Sequence, residues 1–206
     1  MKTRSKLLIS YKLLFALLGF AAVITEIAVI SERGVFNAVN FLSYFTIQNN
    51  LIAVAALILG AVVMASGKQS KAIELFRGFA TVFMVVVGIG FAILLAGVEG
   101  ITLTAVPWDN TVLHYIMPVV IALDFLIDRP RTKFSFKKNL LWLLYPAVYF
   151  TYTMIRGAQT GWYPYPFLNP ANNSLSSLIV TIAALFVLGV VLIWAVGRVA
   201  GRKSSK

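Results

Sequence analysis

Thr46, Gln48, Asn49 and Asn50 stand together in an otherwise apolar stretch, and the single histidine, His114, lies in another. A threonine hydroxyl is a weak nucleophile and needs an adjacent base. Neutral histidine is the side chain whose ordinary pKa suits that role near pH 7. The chain has no cysteine, no second histidine and no G-x-S-x-G serine motif. Thr46 and His114 are therefore the nucleophile and base to consider. Asn49, Asn50 and Tyr149 are the candidate donors to an oxyanion. Glu26 would orient His114 through an interhelical contact. No metal or organic cofactor is implied, because one histidine and seven carboxylates leave few ways to assemble a metal site.

These residues must be positioned by something unlike a soluble domain. The chain is 60% apolar and only 12% charged, whereas soluble domains carry about 45–50% and about 25%. Six runs approach the roughly 20 apolar residues that a bilayer-crossing helix needs: 11–30, 41–66, 74–97, 110–128, 138–156 and 175–197. Backbone groups in hydrocarbon must bond internally, and the runs are too long and continuous for a barrel. The expected fold is all-α: one compact domain over residues 1–206, a bundle of six transmembrane helices. The N-terminal stretch is long for a signal peptide and reads as a retained first helix.

The basic residues give the orientation. Lys2, Arg4, Lys6 and Lys12 precede or open the first run, and Lys68, Lys71 and Arg77 flank the loop after the second. Arg129, Arg131, Lys133, Lys137 and Lys138 follow the fourth, and Arg198, Arg202, Lys203 and Lys206 close the chain. All fall on one side, which the positive-inside rule makes cytoplasmic, with both termini there. The net charge of +11 follows from this asymmetry, so no nucleic-acid partner is invoked. The expected location is a cell membrane of bacterial cytoplasmic type, with the bilayer itself and a membrane lipid as partners. Oligomeric state is not legible, since small-residue faces occur on several spans.

In that orientation Glu26, Thr46 to Asn50, His114 and the Tyr149–Arg156 stretch come from four helices to one depth near the outer face. Thr46, Asn49, Asn50 and Ala53 share a helical face, as do Tyr145, Tyr149, Tyr152 and Arg156. Asn110 and His114 also face together, and Pro118 should kink or loosen the helix beside them. Each residue has a plain alternative: a back-bonded threonine, asparagines and a histidine as interhelical glue, tyrosine anchors and a snorkelling arginine. Asp124, nearer the other end, is expected to pair with Arg129 or Arg131. Gly78, Gly88, Gly90 and Gly97 read as sites of close helix packing. The proline-rich segment 157–174 reads as an interfacial turn or as a lid.

The segments NFLSYFTIQNNLIA, NTVLHYIMPVVIALDFLID and YPAVYFTYTMIRGAQTGWYPYPFLN closely resemble bacterial proteins catalogued as predicted six-span integral membrane proteins. That resemblance covers nearly the whole chain and implies the fold. The order of a threonine in the second span and a histidine in the fourth is also similar to the androgen-induced protein family of animals. Those are threonine hydrolases that cleave fatty acid esters of hydroxy fatty acids. The resemblance implies Thr46 as nucleophile and His114 as its partner.

The expected function is a membrane-embedded lipid ester hydrolase. Asn49, Asn50, Glu26, Tyr149, Tyr152 and Arg156 would surround the substrate, and Arg156 would hold a carboxylate head. The alternative is a lipid or small-molecule binding protein or transporter with a non-catalytic outward-facing pocket. A third reading is a structural partner protein whose polar residues close on one another.

Overall fold

A computed structural model describes residues 3–98 and 104–201. Lys2, Arg202, Lys203 and Lys206 lie outside the described residues. Those residues form helices α1 (Thr3–Glu32), α2 (Ala38–Leu42), α3 (Phe45–Ser66), α4 (Lys71–Leu94), α5 (Pro107–Thr111), α6 (Met117–Ile127), α7 (Phe136–Asn139), α8 (Leu144–Thr160) and α9 (Leu175–Val199), with no strand among them. Five stretches are long and apolar enough to cross a membrane: α1, α3, α4, Pro107–Ile127 and α9. Leu14, Leu17, Ile93, Val119, Val180 and Val191 on these stretches are exposed. Apolar side chains left open all round a bundle suit a lipid solvent, and the chain has the make-up of a multi-pass membrane protein.

The run 138–156 is not one continuous helix. Leu140–Leu143 is a 3-10 turn, and α8 begins only at Leu144. Pro146 supplies the reason. A proline lacks an N–H and its ring clashes with the carbonyl four residues back, so it is tolerated only in a first turn. A helix containing Pro146 therefore restarts just before it, and α8 is left 17 residues long.

Helix ends follow local chemistry. Asn37, Ser70 and Ser174 cap α2, α4 and α9 by accepting from the backbone N–H three residues on. Gly67 and Gly161 end α3 and α8 at φ 65° and 72°, in the left-handed region that favours glycine.

In the bundle, α3 packs between α1 and α4, and α4 also meets α6 and α9. Ala22, Ala53, Leu57, Leu113 and Met117 build the core shared by α1, α3 and the 107–127 stretch. Phe83, Phe125, Phe134 and Ile193 build a second, and Phe91, Leu95, Tyr149, Tyr165 and Leu168 a third. Two of the four expected packing glycines serve close approach. A Cβ on Gly88 would lie 2.7 Å from Pro118, and Gly78 abuts Phe134 and Trp142. Gly90 has only Leu185, at 3.7 Å. Gly97 lies beyond α4 in a turn at φ 80°, so its role is conformational.

Asp124 does not pair with Arg129 or Arg131. Its carboxylate takes Lys12 Nζ from α1 on one oxygen and Arg77 Nη2 from α4, at 2.8 Å, on the other. Asp128 binds the same two cations at 3.0 and 2.9 Å. Lys12 is fully buried. Burial of two cations requires two anions, and α1, α4 and the end of α6 supply the four groups. Arg129 instead donates its Nε–H to the Leu126 carbonyl.

Candidate functional site

At the far end of α1, roughly 21 Å along the helix from Lys12 at 1.5 Å per residue, the polar side chains converge on a cavity of about 380 Å³. Thr46, His114 and Glu26 line it, together with Arg33, Asn40, Tyr44, Trp162 and Tyr165. A second cavity, apolar and about 60 Å³, runs between α4, α8 and α9. Phe83, Val87, Gly90, Phe91, Tyr149, Leu185 and Gly189 lie along it. Thr46 and Tyr165 border both cavities.

The backbone around Thr46 differs from the sequence expectation. The run 41–66 breaks at Ser43–Tyr44, and α3 starts at Phe45. Thr46 is therefore in the first turn of a 22-residue helix, where backbone N–H groups have no intrahelical acceptor. Tyr44, the residue before the helix, offers no side-chain cap. Tyr165 takes that place. Its hydroxyl accepts from Thr46 N–H at 3.0 Å and lies 3.2 Å from Thr46 Oγ1. Burial pushes the Tyr165 hydroxyl up to about 12, against the opposing effect of its bonds to Thr46. It therefore keeps its proton near neutrality and can donate it.

His114 sits in a π-helical turn, Val112–Ile116, between α5 and α6. Met117 N–H reaches back five residues to the Val112 carbonyl. Pro118 has no N–H, so the Leu113 carbonyl is left without a ladder donor. Asn50 Nδ2 supplies one at 3.1 Å and also bonds the Thr46 carbonyl at 2.9 Å. The loosening expected beside Pro118 is thus a π turn, and it carries the histidine. His114 Nδ1 is 3.2 Å from the Asn110 carbonyl, which can only accept. That contact assigns the proton to Nδ1 and leaves Nε2 as an acceptor, the tautomer a base requires. Phe91 stacks on the ring at 4.1 Å between centroids and sets its plane.

Thr46 and His114 face one cavity without a direct hydrogen bond between them. Glu26 lines the same cavity, but its carboxylate accepts from Ala105 N–H at 2.7 Å and sits against the buried Asp109. The group that orients His114 is therefore the Asn110 carbonyl. Asn49 Nδ2 donates to the Phe45 carbonyl and to Tyr145. The amide N–H groups of Asn49 and Asn50 are thus spent on holding the frame. Tyr149 donates to the Ser43 carbonyl at 3.0 Å and lines the apolar cavity, and Tyr152 bonds Ser43 Oγ at 2.8 Å. Arg156 bonds Asn40 Oδ1 and lies 4.7 Å over Trp162. Arg33 is the arginine on the cavity wall.

Sequence reasoning missed Tyr165 as a site residue and read its segment as an interfacial turn or a lid, without naming the residue that reaches Thr46. The segment after α8 turns inward. Trp162 meets Tyr44 edge-on, Tyr163 lies against Gly157, and Tyr165 stacks on Phe167. Aromatic residues between prolines signal a stiff segment, but nothing in their spacing names the threonine beneath. Tyr165→Phe is expected to leave the Thr46 N–H without its partner. The expected loss is about 1–3 kcal/mol, readable as a lower midpoint of thermal unfolding in detergent.

Compared with family models, curated proteins and solved structures, the chain matches none of them.

Proposed function

We propose that this chain is a membrane-embedded lipid ester hydrolase with Thr46 as nucleophile and His114 as base. In this reading α8 is the fifth of six crossings, the basic end is cytoplasmic, and the Thr46 cavity opens outward from a cell membrane. The observation that carries the reading is the position of Thr46. It stands where a polar cavity meets an apolar one, at the N-terminal turn of a long helix, with an acceptor imidazole on the polar wall.

The chemistry follows from that placement. His114 Nε2 takes the Thr46 proton as Oγ1 attacks the ester carbonyl. In the resting arrangement the hydroxyl is turned to Tyr165, so the transfer needs a rotation about χ1 or one intervening water. The tetrahedral oxyanion would meet the Thr46 N–H, the Tyr165 O–H and the positive end of the α3 dipole. His114 then returns the proton to the leaving alcohol. Water, deprotonated by His114, cleaves the acyl-threonine and regenerates the hydroxyl. The acyl chain would occupy the apolar cavity, which must widen by side-chain rotation, because about 60 Å³ holds roughly two waters. The resemblance to the androgen-induced proteins favours a fatty acid ester of a hydroxy fatty acid, whose free carboxylate would meet Arg33.

Purified protein incubated with a fluorophosphonate probe tests this. The parent should label, and Thr46→Ala should not. His114→Ala should label about 10²- to 10⁴-fold more slowly. Equal labelling of all three would end the hydrolase reading. A binding or transport protein is the second reading, favoured by the missing hydrogen bond between Thr46 and His114. It predicts lipid binding that survives Thr46→Ala, with no turnover by the parent.

A further inference from the structure

The opposite end of the bundle holds a larger cavity, about 990 Å³, that the hydrolase reading does not use. Five of the described basic residues line it: Arg4, Lys68, Arg77, Arg129 and Arg131. Among the described residues it has two carboxylates, and both are already engaged. Glu74 accepts from the backbone N–H groups of Arg131 and Thr132, at 3.2 and 2.7 Å. Asp128 is held by Lys12 and Arg77.

Among the described residues, no carboxylate lies within ion-pair distance of Arg4, Lys68, Arg129 or Arg131. Four unpaired cations around one hollow repel one another, and an anion between them relieves that repulsion. Arg77 forms a fixed part of the wall. It is 7% exposed, its Nη2 is anchored by Asp124 and Asp128, and its buried Nε has no partner. Gly60 stands beside it, where even a Cβ would come within 3.3 Å of that nitrogen.

We propose that this cavity is an anion site for a phosphoryl group, the head of an anionic phospholipid or a free phosphate ester. A phosphoryl group offers several acceptor oxygens to guanidinium forks from several directions, which a wall of arginines can satisfy at once. The cavity also lies at the end where the basic residues flank the apolar stretches, at headgroup level in a bilayer.

The full-length protein tests the proposal, because two pairs of basic residues can be neutralised with the same change of charge. Arg129→Gln with Arg131→Gln removes two cations from the cavity wall. Lys137→Gln with Lys138→Gln removes two exposed cations nearby that do not line it. Binding of phosphatidylglycerol and of phosphatidylcholine is measured by native mass spectrometry, and inorganic phosphate is titrated against thermal unfolding. The parent should prefer phosphatidylglycerol. The cavity pair should weaken phosphate or phosphatidylglycerol binding about tenfold or more, and the lysine pair by less than twofold. Phosphatidylglycerol binding alone would assign the site to lipid, and stabilisation by phosphate as well would assign it to soluble esters. Equal losses from both pairs would reduce the effect to general surface charge and overturn the site. So would a parent that binds neither anion. Fluorophosphonate labelling at Thr46 reports separately on the hydrolase reading.

Discussion

Asp124→Ala is expected to destabilise the protein by about 3–5 kcal/mol, the usual consequence of removing one partner from a buried ion pair. The loss would exceed that of a single hydrogen bond because of what remains. Lys12, fully buried, and Arg77 would then share only the carboxylate of Asp128, which is itself partly exposed. Two positive charges against one negative, with Lys12 fully buried and Arg77 nearly so, leave an uncompensated cation. Asp124→Asn should lose nearly as much, since the amide keeps the shape and lacks the charge. Arg129→Ala and Arg131→Ala should change stability by no more than about 0.5 kcal/mol, because neither guanidinium pairs with a carboxylate among the described residues, and the Arg131 backbone N–H that meets Glu74 is kept. Thermal unfolding in one detergent, followed for all four variants, checks the set. If the two arginine variants fall as far as Asp124→Ala, the buried network is not what joins these helices.

Gly90→Leu is expected to change chain-length preference by about two orders of magnitude, provided the apolar cavity takes the acyl chain. Gly90 lies on α4 along that cavity, where a Cβ would meet only Leu185 at an ordinary 3.7 Å. The Cβ of a leucine there therefore has room, and the rest of its side chain would compete with the acyl chain for the channel. It displaces about four methylenes, each worth about 0.8 kcal/mol on burial. The sum of about 3 kcal/mol corresponds to a loss of roughly 200-fold in kcat/KM for long-chain esters. Acetate esters, which do not reach Gly90, should be hydrolysed at the parental rate. Parallel assays on acetate and palmitate esters decide it. A similar drop on both would indicate a damaged bundle rather than a shortened channel.

The apolar runs were legible because hydrophobic length is a one-dimensional signal. Four of the five long stretches lie within four residues of the runs that predict them, and α1 starts at Thr3, eight residues ahead of its run. Local backbone chemistry intervenes in places. Pro146 is such a case, and its first-turn rule could have been applied to the run 138–156. The break at Ser43–Tyr44 is harder. No glycine or proline marks it, yet it decides that Thr46 sits at a helix start. The face shared by Thr46, Asn49 and Asn50 is as the helical period requires, but period says nothing about which amide N–H groups remain free. Both side-chain amides are committed, one of them to a carbonyl orphaned by a proline 68 residues further along the chain.

Composition and charge spacing by themselves determined that the chain is helical and built for a lipid environment, and which end of each helix is basic. Those properties sum over residues and depend little on angles. The tertiary structure alone decided that Lys12 and Arg77 close on Asp124, that Tyr165 reaches Thr46 from a segment 119 residues away, and that two cavities meet at that threonine. Hydrogen bonds and ion pairs are short-range and directional. Their partners are set by how helices cross and where loops fold back, and a hydropathy pattern does not encode that.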